Sequence, residues 1–337
     1  MSDGTTAGDS VAAVRRLLPA VGGAGVERRV STDQANLSIA VDERWLVKWL
    51  REPLAVNDLE TLERLRSKGF RHMPEFVGAV VDDGSVVALV HELVPGATDG
   101  WQWYVGDVLA WIDGGGAFEP MIATAAAMGA ITAELHHALA PDTPVEGPID
   151  GLRDRIAVLR DTAFTAVPAD SEAATRLSTR RDAIDAALAP LQHIERARLQ
   201  PIHGDLHAGQ FLRGDSGRLL VIDFDGDPMV ASDARLSRQP VERDLAGLLQ
   251  SLDHVARVAA RRRPGAEVEP FIAAATDACL HAYRDGHEVD DRLLWPLRVA
   301  QELHEYTYAA TRLPVWLYVP DGAIGRLFPT PAGDGAR

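Results

Sequence analysis

The chain has 337 residues, 46% hydrophobic and 25% charged, a composition that excludes a disordered chain and allows two lobes with a substantial core. Its formal charge of −15 argues against nucleic acid and anionic membranes as partners and is compatible with a cationic substrate. Cys279 is the sole cysteine, so no intrachain disulfide can form; with no leader-like start and no bilayer-length apolar run, a cytoplasmic protein is expected.

Residues 1–9 read as a polar tail. Residues 11–18 read as a short helix with Val11, Val14, Leu17 and Leu18 on one side, ended by Pro19. Extended runs follow at 26–30, 37–41 and 45–50, the last two joined by Asp42-Glu43-Arg44 as a hairpin. Residues 58–68 read as a helix, with Leu59, Leu62 and Leu65 at spacings of three. A second hairpin, 76–81 and 86–93, crosses Asp82-Asp83-Gly84. This order of three strands, a helix and two strands predicts a small β-rich lobe.

After Val94-Pro95-Gly96 the chain becomes Ala-rich and helical. Helices are predicted over 121–139 (Met128, Ile131, Leu135 and Leu139 on one face), 153–164, 172–191, 241–260 (Leu245, Leu248, Leu252 and Val255 inward), 271–283 and 291–312. Residues 141–148 read as a Pro-rich loop, and short strands at 210–212 and 219–224 flank Asp215-Ser216-Gly217. The tail from Pro329 reads as mobile. The expected organisation is a tail and cap helix over 1–26, a β-rich lobe over 27–93 and a helical lobe over 94–337. That is an α+β, bilobal protein-kinase-like fold.

The chemistry concentrates in His203-Gly204-Asp205-Leu206-His207-Ala208-Gly209-Gln210 and Ile222-Asp223-Phe224-Asp225-Gly226. Phosphoryl transfer needs a group that orients a hydroxyl and oxygen ligands that hold Mg²⁺. Asp205 is the candidate base; its bland alternative is a turn-forming Asp bonded to its own backbone. Gln210 and Asp223 are the candidate metal ligands. Asp225 reads equally as a further metal or substrate ligand and as a solvated turn residue. His207 reads as a sugar-site residue or as a structural histidine.

Lys48 is the candidate partner of the α- and β-phosphates, on a strand where Val47 and Trp49 face the other way. Glu60 is preferred over Glu63 as its acidic partner. Gln34-Ala35-Asn36-Leu37-Ser38 stands where a phosphate-covering loop belongs but has no glycine, so backbone amides and the Asn36 or Ser38 side chains would have to serve. His91-Glu92-Leu93-Val94 reads as the interlobe hinge, with adenine on the backbone of Glu92 and Val94. Near the C-terminus Gln301, Glu305, Tyr308 and Arg312 share one helical face. A solvated stripe is the plain reading. The stripe, however, runs into Leu313-Pro314-Val315-Trp316, where Trp316 could stack on a sugar and Glu305 could hold an ammonium group.

Residues 201–228 resemble the bacterial maltokinases and their aminoglycoside phosphotransferase-like relatives, which carry a His-Gly-Asp loop ending in Gln and an Asp-Phe-acid-Gly-acid-Pro turn. Here the turn is Asp223-Phe224-Asp225-Gly226-Asp227-Pro228. The segment from Val94 to Trp101, the run Arg243-Asp244-Leu245-Ala246-Gly247, and Glu305, Tyr308, Pro314, Trp316 and Pro320 extend the likeness. The short stretch before Gln34 and the pattern from Gln301 to Pro320 look more like the maltokinase-related glucosamine kinases of actinobacteria. That resemblance implies ATP- and Mg²⁺-dependent phosphorylation of glucosamine at its 6-hydroxyl. It implies Asp205 as base, Gln210 and Asp223 as metal ligands, and Gln301, Glu305 and Trp316 as sugar contacts. A neutral-sugar kinase, an aminoglycoside kinase and a pseudokinase are the alternatives. The expected assembly is a monomer or homodimer.

Overall fold

Alternation along the extended runs builds an antiparallel sheet in the computed structural model, which describes residues 9–20, 22–30, 36–226 and 237–329. The strands are β1 (Glu27–Val30), β2 (Leu37–Val41), β3 (Trp45–Ala55), β4 (Phe76–Asp82) and β5 (Ser85–Glu92), in the order β1-β2-β3-β5-β4. In the β2–β3 turn, Asp42-Glu43-Arg44, the first two residues have left-handed φ, 52° and 48°. Their twist matches that of the strands they join. One face of the sheet is covered by helix α1 (Asp9–Leu17), where Ala13 and Val14 pack with Trp45, Val47, Ala88 and Val90. Trp49 Nε1 donates to Ser10 Oγ at 2.9 Å and Val11 N–H to Glu27 at 3.0 Å, tying helix to sheet. Because successive side chains alternate, burial of Val47 and partial burial of Trp49 on that face turn Lys48 to the other.

Helix α2 (Glu60–Ser67) follows a 3₁₀ turn, Val56–Leu59, so the regular helix starts later than residue 58. Leu59, Leu62 and Leu65 are all buried, as their spacing requires.

The described residues of Met1–Asp99 form one compact unit together with Phe211–Phe224. This unit runs past residue 93 and takes in a segment distant in sequence. That segment is a hairpin, Phe211–Arg213 with Leu219–Val221, joined to the rest of the unit by Val221 N–H on His72 O at 2.7 Å and by an isolated bridge between Thr98 and Arg213.

The second unit holds Gly100–Gln210 and the described part of Asp225–Arg337. Its helices are α3 (Gly100–Ile112), α4 (Phe118–Leu139), α5 (Asp150–Ala166), α6 (Glu172–Ser178), α7 (Arg181–Leu188), α8 (Glu242–Arg262), α9 (Glu269–Gly286), α10 (Asp291–Arg312) and α11 (Tyr318–Leu327). The inward stripes of α4 and α8 are buried as predicted. Pro296 sits inside α10, yet α10 keeps its expected bounds.

Three differences from the sequence reading have physical causes. The single helix expected over 172–191 is two helices and a 3₁₀ turn. Ser171 caps the first by accepting from Ala174 N–H at 3.1 Å, and Pro190, at the start of the 3₁₀ turn, ends the second. Within the supposed loop 141–148, Val145–Pro148 is a strand, because Arg196–Leu199 supplies an antiparallel partner. Helices α3 and α11 were not predicted; α3 buries Trp103, Tyr104, Val105 and Val108, an apolar set too broad to read as a stripe. Residues 1–8 and 330–337 of the expected tails, and Gln34, Ala35, Asp227 and Pro228, lie outside the described residues.

Candidate active site

In the second unit a short loop leads from Arg196–Leu199 to a 3₁₀ turn, Ala208–Gln210, and carries His203, Asp205 and His207. Asp244, on the first turn of α8 and 1% exposed, holds it. Its Oδ2 accepts from His203 N–H at 2.7 Å and its Oδ1 from Gly204 N–H at 2.8 Å. His136 on α4 lies with Nε2 at 3.0 Å from Oδ2 and Nδ1 at 2.7 Å from the Tyr283 hydroxyl. A carboxylate only accepts, so the Nε2 atom carries a hydrogen. Burial alone would raise the Asp244 carboxyl; the His136 hydrogen bond, the neighbouring His136 and His203, and the Gly204 N–H outweigh it and hold it below the usual range.

Further along the loop, Ser251 Oγ on α8 accepts from Ala208 N–H at 2.8 Å. Helices come close because they lack side chains where they meet the loop. A Cβ on Gly247 would stand 2.6 Å from Leu206 O, and one on Gly100 would stand 1.8 Å from Ala208 O. Gly204 takes φ +86°, a conformation that L side chains rarely adopt. Asp205, half-buried, therefore sits on backbone fixed from two helices, and its own N–H faces His203 Nδ1 at 3.3 Å. The His207 Nδ1 atom accepts from Gly209 N–H at 3.0 Å. Gln210 is buried and closes the 3₁₀ turn, donating its N–H to His207 O at 2.9 Å. The strand predicted from 210 thus begins at Phe211.

The same unit gathers the predicted sugar contacts. Gln301 Nε2 donates to Glu305 Oε1 at 3.2 Å, one turn apart on α10. Gln301 lies beside Gly247, hence near the Leu206 carbonyl. Trp316 meets Trp101 edge-on at 5.5 Å, and Trp101 lies 5.6 Å from the His207 ring. So His207 and Trp316 belong to one aromatic group joined by Trp101. Beneath this face His254 Nε2 is 2.9 Å from Glu302 Oε1, which also accepts from Gln250. Burial would lower the His254 imidazole, but Glu302, then Glu305 and Asp253, outweigh it and push it up to about 9.

In the first unit Lys48 forms an ion pair with Asp223, their side chains 13% and 42% exposed. Asp223 has φ +67°, an uncommon conformation for a non-glycine residue. Ser38 is buried and stands opposite Lys48 in the β2–β3 register, which puts the two on one face. The side chain of Asn36 accepts from Arg51 N–H at 3.2 Å. Glu60 and Glu63 are both exposed, and among the described residues neither pairs with Lys48; the preferred Glu60–Lys48 pair is replaced by Asp223–Lys48. In the segment predicted as the hinge, Glu92 N–H donates to Glu75 O at 2.9 Å and Leu93 N–H to Arg44 O at 2.8 Å, while Val94 is half-buried. Burial, then the charge of Lys48, push the His91 imidazole down to about 4. Asp225 is half-buried in the second unit.

Sequence reasoning assigned no role to Asp244, His136, Ser251 or Trp101. The signal for Asp244 and Trp101 lay in the motif likeness; His136 and Ser251 left none.

No protein-family model matches the chain. A glucosamine kinase of Streptacidiphilus jiangxiensis is 38% identical over 328 residues, covering 90% of this chain and 74% of that protein. A solved structure of a glucosamine kinase in complex with glucosamine, ADP and inorganic phosphate is 33% identical, with a TM-score of 0.84 over 96% of this chain and 84% of that one. The GDP complex of an aminoglycoside 2'-phosphotransferase, 15% identical with a TM-score of 0.57, shares the fold.

Proposed function

The chain belongs to the glucosamine kinase family, and from that premise we propose that it transfers the γ-phosphoryl group of ATP to the 6-hydroxyl of D-glucosamine in a Mg²⁺-dependent reaction. The observation that carries this reading is the Asp205 loop, clamped by Asp244 and bordered by the Gln301–Glu305 pair.

In the proposed reaction Asp205 accepts a hydrogen bond from the acceptor hydroxyl and takes its proton as the new O–P bond forms and the bond to ADP breaks. Positioning supplies much of the rate, which is why a loop fixed at both Gly204 and Ala208 suits the task. Glu305 binds the substrate ammonium and Gln301 a ring hydroxyl, while Trp316, His207 and Trp101 wall the sugar. A carboxylate facing a cation is what separates glucosamine from glucose. Lys48 binds the α- and β-phosphates. Asn36 and Ser38 lie at the start of the strand paired with it, and the backbone at Glu92 and Val94 receives adenine.

Gln210 and Asp223 are the proposed Mg²⁺ ligands, with Asp225 as a further one. Amide and carboxylate oxygens are the hard donors that this ion prefers, with phosphates and water completing its shell. When bound, the ion shields phosphate charge. A cytoplasmic setting is part of the proposal, supported by a sequence whose single cysteine, Cys279, allows no intrachain disulfide. No helix among the described residues is long and apolar enough to cross a membrane.

A coupled ATP-consumption assay tests the proposal with glucosamine, N-acetylglucosamine, glucose, maltose and kanamycin in parallel. Highest turnover on glucosamine is expected. Preference for maltose or kanamycin would overturn the substrate, and no turnover on any acceptor would overturn the kinase reading.

A further inference from the structure

Two helices carry the two halves of the proposed acceptor chemistry. Helix α8 holds the Asp205 loop through Asp244 and Ser251, and α10 bears Gln301 and Glu305. Their interface is not closed by apolar packing alone. Glu302, fully buried on α10, lies between two residues one turn apart on α8: its Oε1 atom accepts from Gln250 Nε2 and stands 2.9 Å from His254 Nε2. Gln250 Oε1 in turn accepts at 2.7 Å from Arg298 Nε, one turn before Glu302. Burial would lower the His254 imidazole, but Glu302, Glu305 and Asp253 outweigh it, so at neutral pH it is an imidazolium and donates to Glu302.

Stability alone would not select this arrangement. The other carboxylate oxygen, Glu302 Oε2, is buried with no hydrogen-bond partner, which costs free energy. Apolar side chains of similar volume would hold the two helices together at least as well. They would not fix the register as well, because apolar surfaces slide past one another, whereas buried polar partners hold in one alignment only. Residues 250 and 254 are about 6 Å apart along the α8 axis, so a carboxylate gripped by both is lost in a slide of much less than a turn. Register is what the acceptor site needs. A Cβ on Gly247, three residues before Gln250, would stand 2.6 Å from Leu206 O and 4.0 Å from Gln301 Cδ, so the Asp205 loop, α8 and α10 meet there. Glu305 follows Glu302 by three positions, and its charge also acts on His254.

We propose, on the reading of Glu305 as the group that meets the substrate ammonium, that Glu302 is a positioning residue: gripped by Gln250 and His254, its carboxylate fixes α10 along α8 and so sets the distance between Asp205 and Glu305. The Asp205 loop goes with α8 and Glu305 goes with α10. Loss of the grip therefore moves the ammonium partner relative to the base. Glucosamine uses both groups and loses more than glucose, which has no ammonium.

Steady-state kinetics of the full chain on glucosamine and glucose, with unfolding midpoints measured alongside, provide the test. The double variant His254→Leu/Glu302→Leu removes the grip and leaves an apolar interface. Its midpoint should stay near that of the wild type. Its KM for glucosamine should rise about tenfold or more, the scale of one lost charge-assisted contact. KM for glucose should rise by less, and KM for ATP should not change. Glu302→Gln keeps an oxygen for both donors and should keep KM for glucosamine near the wild-type value. Glu302→Asp keeps the charge on an arm one methylene shorter; it should raise KM for glucosamine, and it decides the question if the double variant does not fold. An unchanged KM for glucosamine in the folded double variant, or in Glu302→Asp where the double variant is unfolded, overturns the inference. So does an equal rise for both sugars. A loss in Glu302→Gln as large as in the double variant would assign the effect to charge and overturn the register. A wild type with no preference for glucosamine overturns the substrate reading separately. The inference then stands if the double variant raises KM for the acceptor actually used at unchanged KM for ATP, and falls if it does not.

Discussion

Replacing Asp244 with Asn tests how the Asp205 loop is held. The carboxylate accepts three hydrogen bonds, from His203 N–H, Gly204 N–H and His136 Nε2. An amide offers one oxygen and one NH₂, so whichever way it turns, a donor faces a donor. At least one buried N–H then loses its acceptor, at about 1–3 kcal/mol, and the remaining bonds lose their charge assistance. The expected loss is on the order of 3 kcal/mol, a large part of a typical stability of about 5–15 kcal/mol. Urea denaturation at pH 7 reads this loss, and kcat reads the effect on Asp205, which should fall because its loop is no longer fixed. The sign with pH follows from the depressed Asp244 carboxyl. Its contribution is present above the unfolded value, about 3.9, and is lost as pH falls through the lower folded value. The gap between wild type and Asp244→Asn should therefore narrow in acid. A variant with wild-type midpoint and wild-type kcat would refute the clamp; a gap unchanged at pH 3 would refute the role of the charge.

Asp205→Ala should lower kcat by at least a hundredfold, about 3 kcal/mol in barrier, with nucleotide affinity little changed; single-turnover kinetics and nucleotide titration separate the two. Glu305→Gln should raise KM for glucosamine far more than for glucose, and equal effects on both sugars would remove Glu305 as the amine reader. His254, raised from 6.5 to about 9, contributes stability that is full below about 6.5 and lost as pH rises through about 9. That shift corresponds to about 3 kcal/mol, so a wild-type protein markedly more stable than His254→Gln at pH 7 should lose most of that advantage by pH 10.

Chemistry that is local in the chain was legible in advance. The His203–Gln210 loop and the Asp223–Asp225 turn are runs of neighbouring residues, and their spacing names a kinase before any contact is known. The helical stripes of α4 and α8 were legible for the same reason, because side-chain direction repeats with the helical turn. Alternation on β3 placed Lys48 opposite Val47, and the cap helix over Val47 bears that out.

The tertiary structure decided what depends on partners distant in the chain. Asp244 holds a loop some forty residues before it, and Lys48 meets Asp223 rather than Glu60. The strand Val145–Pro148 exists because Arg196–Leu199 lies beside it. Trp101 joins His207 to Trp316 across more than two hundred residues of sequence. The sequence by itself determined which groups could act and on which elements they ride, since backbone periodicity and side-chain chemistry are local. Which groups touch is set by how the elements pack, and only folding chooses among the many donors and acceptors a single carboxylate could meet.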